Sequence, residues 1–307
     1  MKKALILGGN GFLGTYIIRE LCEKKFQITV VSRTKKDIEN IKTFGFPGQI
    51  VWQQYNITSP TLISDFNFKN YDVIINLIGI ASQNQGNTYY KIHSEIPSQI
   101  AQQTRKLRVL FIHISALVPK IISSKYVKTK QEGEQAILKL NPSAVIIRPS
   151  VMMGKGDGLV STFEKIINLS PVIPLLFGGR TKISPVFAGD VAKFIALSIE
   201  KTEMQGKTFT LCGKEVILFK DMIMKIAGFM NKRRFYISVP LAFFKLIFTV
   251  KSILPEFIFR TKLTKDLLDI SKYEIIPEKN DLTLLVQNPQ TVDDTLASML
   301  KKYKLYD

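Results

Sequence analysis

Six short apolar runs punctuate the first half of the chain, at residues 4–7, 28–31, 50–53, 73–77, 109–114 and 144–147, several of them rich in Val and Ile. More polar segments with helical periodicity separate them. Such runs, alternating with helical stretches, predict parallel strands of one sheet covered on both faces. From residue 151 the rhythm loosens. Residues 184–192 read as a strand running into a helix, and segments around 208–211, 219–230 and 239–250 form a smaller C-terminal α/β lobe. The expected division is a core of residues 1–150 plus 185–202, and a substrate or partner lobe of residues 151–184 and 203–307. Ligands of such sheets bind at the carboxyl ends of the strands, so the lobe is where specificity is expected.

Between the first run and the first helical segment lies Gly8-Gly9-Asn10-Gly11-Phe12-Leu13-Gly14. The first glycine of this G-x-x-G-x-x-G pattern permits a tight turn. A residue without Cβ lets backbone approach a pyrophosphate, and the last glycine lets helix and strand pack closely. The helix N-terminus adds free N–H groups and a positive dipole. In this strand–turn–helix setting the motif predicts a Rossmann-type, doubly wound α/β fold that binds a dinucleotide. Arg33 ends the second strand about twenty residues beyond the turn, where NAD sites usually place a carboxylate for the ribose hydroxyls. An arginine there, with Lys35 and Lys36 beside it, can grip a 2′-phosphate and favours NADP(H) over NAD(H).

Ser115 follows the fifth run, and Tyr126 and Lys130 stand four apart, a spacing that puts both on one face of a helix. A serine at a strand end can polarise a carbonyl. A tyrosine whose pKa is lowered by an adjacent ammonium can pass a proton as hydride moves. The three make a complete set for reversible carbonyl reduction. In a chain with ten tyrosines, placement after the fifth strand carries this reading more than the Y-x-x-x-K spacing does. The plainer alternative has Tyr126 packing and Lys130 solvated.

The glycine turn, Asn76-Leu77-Ile78-Gly79, Ile114-Ser115-Ala116, the Tyr126/Lys130 pair and Ile147-Arg148-Pro149-Ser150 resemble short-chain dehydrogenases/reductases of the extended, epimerase-like type. More narrowly, Asn76-Leu77-Ile78-Gly79 together with Arg148-Pro149-Ser150 and Gly154-Lys155-Gly156-Asp157 is similar to the nucleotide-binding accessory subunits of respiratory complex I and their bacterial homologues. The resemblance is best over residues 3–201. It implies a cofactor held by Gly8, Asn10, Gly11, Phe12, Leu13, Gly14 and Arg33, with Asn56 and Ile57 near the adenine and Leu77, Ile78 and Gly79 along the ribose. Tyr126, Lys130 and the turn through Arg148, Pro149 and Ser150 would flank the nicotinamide. Three positions depart from the pattern. Leu7 stands where relatives often carry threonine, Asn56 where aspartate is common, and His93 where many enzymes of the wider family carry asparagine; His93 reads as a core histidine. The complex I resemblance implies a structural dinucleotide, so an intact Ser-Tyr-Lys set need not turn over.

Composition narrows the picture further. Hydrophobic residues are 46% and charged residues 22% of 307, ample for a core. Cys22, Cys212, His93 and His113 are scattered without metal-ligand spacing, and the cysteines suit a reducing compartment as small packed side chains. The apolar run after Met1-Lys2-Lys3 is too short for a signal peptide and ends in glycines, so it reads as a first strand. The most apolar region, residues 235–259, is interrupted by Lys245, Lys251, Pro255 and Glu256, which argues against a membrane span. A net charge of +18 describes either a solvated lysine-rich surface or a partner of opposite sign. No reader motif points to nucleic acid, whereas an anionic membrane face or an acidic protein stays open.

Residues 243–254 carry a wide apolar face (Phe243, Phe244, Ile247, Phe248, Val250, Leu254) opposite a stripe of Lys245, Thr249, Ser252 and Glu256. Lys232, Arg233, Arg234, Arg260, Lys262 and Lys265 surround it. This helix either packs on its own core or lies on a membrane or membrane complex. The leading expectation is an NAD(P)H-binding accessory or assembly partner of respiratory complex I. It would be cytoplasmic and peripheral on the cytoplasmic face of the inner membrane, or on the matrix side of a mitochondrial one. The alternatives are a free NAD(P)-dependent reductase, epimerase or dehydratase using Ser115, Tyr126 and Lys130, and a regulator that reads the NADP(H) ratio.

Overall fold

Strand β1, Lys3–Leu7, is fully buried at Ala4, Leu5, Ile6 and Leu7, because the sheet it belongs to is covered on both faces. The structure, a computed structural model, describes residues 1–56, 59, 66–83, 86–119, 124–240 and 272–301. After β1 the chain forms α1 (Phe12–Glu23), β2 (Gln27–Ser32), α2 (Ile38–Lys42), β3 (Ile50–Gln54), β4 (Val73–Asn76), α3 (Ile96–Thr104) and β5 (Leu110–Ile114). It continues through α4 (Lys125–Leu140), β6 (Val145–Pro149), β7 (Met152–Met153), α5 (Gly158–Leu169), β8 (Val172–Leu176), β9 (Lys182–Ile183) and β10 (Val186–Phe187). Last come α6 (Ala188–Ser198), β11 (Thr208–Leu211), β12 (Ile217–Leu218), α7 (Phe219–Phe229), β13 (Phe235–Val239) and α8 (Val292–Met299). The six apolar runs of the first half are the strands β1 to β6.

The central sheet has seven strands in the order β11-β6-β5-β4-β1-β2-β3, every pair parallel. Strand order reverses between β1 and β4, so the crevice for a ligand opens at the carboxyl ends of these two strands. Register brings those ends level: Leu7 lies opposite Val31 and Asn76, Asn76 opposite His113, and Ile114 opposite Ile147. Alternation along β1 splits the core. Ala4 and Ile6 join Ile17, Ile18 and Leu21 of α1 and Phe194 and Ile195 of α6 on one face. Leu5 and Leu7 join Ile96 and Ile100 of α3 and Ile137 of α4 on the other. A third cluster, with Val160, Ile167, Ile173, Met222, Ile226 and Leu296, is the core of the smaller lobe.

Two findings alter the expected division. Thr208–Leu211, expected in the smaller lobe, is the seventh strand of the central sheet, paired with β6. Asp281 then ties the later chain to this strand, its N–H donating to Thr210 O at 2.8 Å and its carboxylate accepting the Thr210 N–H at 3.0 Å. Leu282 and Val286 follow into the α1 face of the main core. A four-residue run, TFTL, carries no label saying which sheet it will join; the register with β6 decides that. The amphipathic segment 243–254 lies outside the described residues. Among the described residues no helix is long and apolar enough to cross a membrane.

Helix α1 packs on the sheet where Gly14 meets the backbone of Gly9. A Cβ on Gly14 would stand 2.6 Å from Gly9 C and 2.7 Å from Gly9 Cα. Neither neighbour is a flexible side chain that could yield. Gly14→Ala is therefore expected to destabilise the fold by about 1–3 kcal/mol, the usual cost of overpacking. A lowered urea midpoint at unchanged slope is the expected result, and an unshifted midpoint would show that α1 can move away.

Candidate functional site

Gly8 takes a left-handed backbone, φ +79°, which a glycine adopts without strain. Its N–H donates to Val31 O at 2.8 Å and its carbonyl accepts the Gly11 N–H at 3.1 Å. A Cβ on Gly8 would lie 3.4 Å from Ile78 Cγ1 and 3.5 Å from Leu77 C, so the turn sits directly against the chain leaving β4. Gly11 is the exposed N-cap of α1, and no side chain caps that helix. Its first-turn N–H groups are thus available to an anion in front of the turn. A Cβ on Gly11 would meet only Gly8 O, at 3.3 Å, leaving space at the place where backbone must be approached. Open helix end, left-handed glycine and cleared approach together fit a dinucleotide pyrophosphate.

The neighbouring residues divide into those that face this space and those that do not. Leu13 is buried in the α1 core, so only its backbone belongs to the turn. The Phe12 ring lies edge-on to Tyr16 at 5.7 Å, Tyr16 edge-on to Phe187 at 5.6 Å, and the Tyr16 hydroxyl donates to Lys155 O at 3.4 Å. These contacts hold the turn through Gly154, Lys155, Gly156 and Asp157 beside α1. Asp157 caps α5 by accepting the Val160 N–H at 2.7 Å. The Asn10 amide does not stay free: Nδ2 donates to Thr34 O at 3.1 Å and Lys36 O at 3.4 Å. Arg33 is exposed just beyond β2, and Lys35 is paired with Glu39 at 2.8 Å. Asn56 is exposed beyond β3, and its carbonyl accepts the Ser59 N–H at 2.8 Å. Ile57 lies outside the described residues.

Behind the crevice is a buried polar cluster. The Ile78 N–H donates to Asn76 Oδ1 at 3.2 Å, which turns Asn76 Nδ2 toward His113 Nδ1 at 3.0 Å. His113 Nδ1 is then the acceptor and Nε2 carries the ring proton. Nε2 has no partner among the described residues, and neither has the buried Ser115 Oγ. Helix α4 begins at Ser124, whose Oγ accepts the Val127 N–H at 3.3 Å, and it presents Tyr126, Lys130 and Glu134 at successive i, i+4 positions. Lys130 is buried, with Nζ 3.7 Å from where a Cβ on Gly79 would sit. Glu134 is buried too, and Arg148 Nε donates to its Oε2 at 2.8 Å, with a second contact from Nη2. Pro149 ends β6, its carbonyl accepting the Leu117 N–H at 2.9 Å.

His93 sits in one π-helical turn, Lys91–Glu95, immediately before α3. A Cβ on Gly133 of α4 would collide with the His93 carbonyl oxygen, so the glycine lets the two elements touch. The His93 ring is edge-on to Tyr126 at 5.2 Å and stacked on Tyr89 at 5.3 Å. Its Nδ1 lies 3.3 Å from Thr129 Oγ1, and its Nε2 lies 3.3 Å from Ile80 N and 3.2 Å from Ile80 O. Burial and then the Lys130 charge hold His93 down to about 3; burial, Lys130 and His93 hold His113 well below the usual range. Burial brings Lys130 down to about 8, with Glu134 pulling the other way, and pushes Tyr126 up to about 12. The expected ammonium-lowered tyrosine is therefore not found: desolvation raises the proton affinity of the phenol.

The sequence profile described as the NAD dependent epimerase/dehydratase family matches residues 4–212, from β1 through the end of β11. The chain belongs to this family. Among its relatives is the mitochondrial NADH dehydrogenase (ubiquinone) 1 alpha subcomplex subunit 9 of Rattus norvegicus, 30% identical over 241 residues. That alignment covers 78% of this chain and 63% of the rat protein, so the chain spans less than two thirds of that relative's length. A ceramide reductase of Caulobacter vibrioides is 26% identical over 188 residues, covering 61% of this chain and 57% of that protein. The crystal structure of a UDP-glucuronic acid 4-epimerase from Bacillus cereus, in complex with UDP-glucuronic acid and NAD, superposes with TM-score 0.74 at 15% identity. It covers 99% of this chain and 100% of that chain, and shares the fold.

Sequence reasoning points to Ser115, Tyr126 and Lys130 and misses the Glu134–Arg148 pair and the place of His113. A signal existed for each. Glu134 extends the spacing of Tyr126 and Lys130 by one more helical turn, and His113 is two residues before Ser115, on the same face of β5.

The buried histidines give the protein a defined acid lability. Both stay neutral in the fold at pH values where they are protonated in the unfolded chain, so the unfolded state binds more protons from the ordinary histidine range downward. Stability is then lost as pH falls from about 6.5 toward 3, by about 2 kcal/mol per histidine between pH 6.5 and 5. Asp157 and Asp190, whose carboxyls burial holds high, act in the opposite sense. Comparison of His93→Asn with wild type cancels their contribution. Urea unfolding at pH 7 and pH 5 should show a smaller loss in the variant; equal losses would place His93 in contact with water.

Proposed function

We propose that the protein holds NADP(H) against the glycine turn as a resident ligand and acts as an accessory or assembly partner of a respiratory NADH dehydrogenase complex. The observation that carries the dinucleotide is the uncapped N-terminus of α1 behind Gly8 and Gly11 at the switch between β1 and β4. Exposed Arg33 supports the phosphorylated form of the cofactor. The likeness to a subunit of the mitochondrial enzyme, over 78% of this chain, supports the partner. In this reading the protein is peripheral, and the smaller lobe around α5, α7 and β13 faces the partner.

A second reading, a free reductase, is favoured by the orphaned Ser115 Oγ beside the β5 end and by the ceramide reductase relative. The dinucleotide would supply or accept the hydride. Ser115 Oγ would donate a hydrogen bond to the substrate carbonyl oxygen, and the Tyr126 hydroxyl would deliver a proton to the same atom. Lys130, with Glu134 and Arg148 behind it, would hold positive charge near that phenol and ease loss of its proton.

Mass spectrometry of ligand retained by protein purified without added nucleotide separates the readings. We expect NADP(H) in stoichiometric amount, and co-migration of the protein with an NADH dehydrogenase complex on native gels. Gly11→Val should abolish retention, because its side chain enters ligand space rather than the core, with a smaller loss of ligand-free stability from replacing a glycine N-cap whose added Cβ would stand 3.3 Å from Gly8 O. Arg33→Asp should weaken NADPH binding roughly ten- to a hundredfold, the usual range for a lost charge-assisted contact. Ligand-free protein that oxidises NADPH with a carbonyl substrate, and loses that activity in Tyr126→Phe, would replace the first reading by the second.

A further inference from the structure

The basic loop after β2 is held from inside through its own carbonyls. Ser32 Oγ donates to Thr34 O at 2.9 Å while accepting Trp52 Nε1–H at 2.9 Å. Gln54 Nε2 donates to Arg33 O at 3.2 Å, and the Ile38 N–H donates to Lys35 O at 3.2 Å. Asn10 Nδ2 donates to Thr34 O at 3.1 Å and to Lys36 O at 3.4 Å. Ser32, Trp52 and Gln54 belong to β2 and β3 and anchor the loop to the sheet. Of the side chains named, only Asn10 reaches it from the glycine turn. With its carbonyls drawn inward, the loop keeps Arg33 and Lys36 exposed, and neither has an ion-pair partner among the described residues. Lys35 is paired with Glu39 at the exposed surface.

We propose that Asn10 is the positioning residue for 2′-phosphate selectivity, its amide fixing the Arg33–Lys36 loop at a set distance from the glycine turn. The inference rests on the NADP(H) reading and deepens it. One adenosine half-molecule carries a pyrophosphate at one end and, in NADP(H), a second phosphate on its ribose. The turn serves the first anion in either dinucleotide; the loop serves the second in NADP(H) alone. A tether between turn and loop therefore sets the spacing of the two anion subsites. Without it, the loop keeps its anchors to β2 and β3 but loses its set distance from the turn, and only the ligand that uses the loop bears the cost of restoring that distance.

The test is calorimetric titration of full-length protein, stripped of any retained ligand, with NADPH and NADH. Wild type, Asn10→Ala, Asn10→Asp, Arg33→Gln and the double variant Asn10→Ala/Arg33→Gln are compared. Loss of the amide donor in either Asn10 variant should lower the NADPH-to-NADH affinity ratio about tenfold, the scale of a hydrogen bond that organises a charged contact. Asn10→Asp keeps the side-chain shape, but its negative charge repels the 2′-phosphate as well, so its loss of ratio should equal or exceed that of Asn10→Ala, and Asn10→Ala reports the tether. If Asn10 acts through the loop, Asn10→Ala should change the ratio far less in the Arg33→Gln background than alone. Competition by 2′,5′-ADP against 5′-AMP should show the same pattern, placing the effect in the adenosine half. A wild type that prefers NADPH, with the ratio unchanged in both Asn10 variants, would overturn the tether alone. An Asn10 effect that adds fully to that of Arg33→Gln would also overturn it. A wild type that prefers NADH would overturn the NADP(H) reading and the selectivity inference with it.

Discussion

Where α1 leaves the first strand, Gly14 rests on the backbone of Gly9 with no room for a Cβ between them. That contact brings the helix N-terminus to the carboxyl edge of the sheet at the switch between β1 and β4, where its unpaired N–H groups become a site for anions. Much else is referred to the same helix. Phe194 and Ile195 of α6 share a core with Ile17, Ile18 and Leu21. Phe12, Tyr16 and Phe187 hold the turn from Gly154 to Asp157 in front of it. A helix one side chain farther out would displace the crevice and the start of the second lobe together.

The far wall of the crevice follows a different logic. Asn76, His93, His113, Ser115, Thr129, Lys130 and Glu134 are all buried in an otherwise apolar part of the protein. Polar groups withdrawn from water persist only if paired or neutral. The histidines respond by remaining uncharged and Lys130 by a lowered proton affinity, while Glu134 is answered by Arg148 at the partly exposed margin. Two atoms, His113 Nε2 and Ser115 Oγ, are left with hydrogen-bonding capacity and no partner among the described residues. Buried polar groups left unsatisfied in this way are rare in native proteins. The same burial raises the proton affinity of the Tyr126 phenol.

Much of this was legible in the order of residues. Fully buried parallel strands must be apolar along their whole length, so the six runs announced β1 to β6 without help from their neighbours. The glycine turn declared itself because its steric demands, a left-handed residue and two close approaches, are met at those positions by glycine alone. Tyr126 and Lys130 were visible because a helix repeats on a scale of four residues. Each of these is a local constraint, expressed within one element or one turn.

Contacts between elements were not written in that way. Thr208–Leu211 could have paired in either lobe until register with β6 and the return of Asp281 placed it in the main sheet. The side chain of Asn10 looked like part of the cofactor turn, and only the folded loop shows its amide engaged by Thr34 and Lys36. The proton affinity of Tyr126 was misjudged for the same reason: adjacency to Lys130 can be counted along a helix, whereas the dryness of the space around both cannot. By itself, then, the sequence determined the strands, the turn and the chemistry of individual side chains, because those follow from local geometry. Which strand joined which sheet, which donor met which carbonyl and which charge lost its water were decided by the tertiary structure, because burial is a property of the whole packed chain.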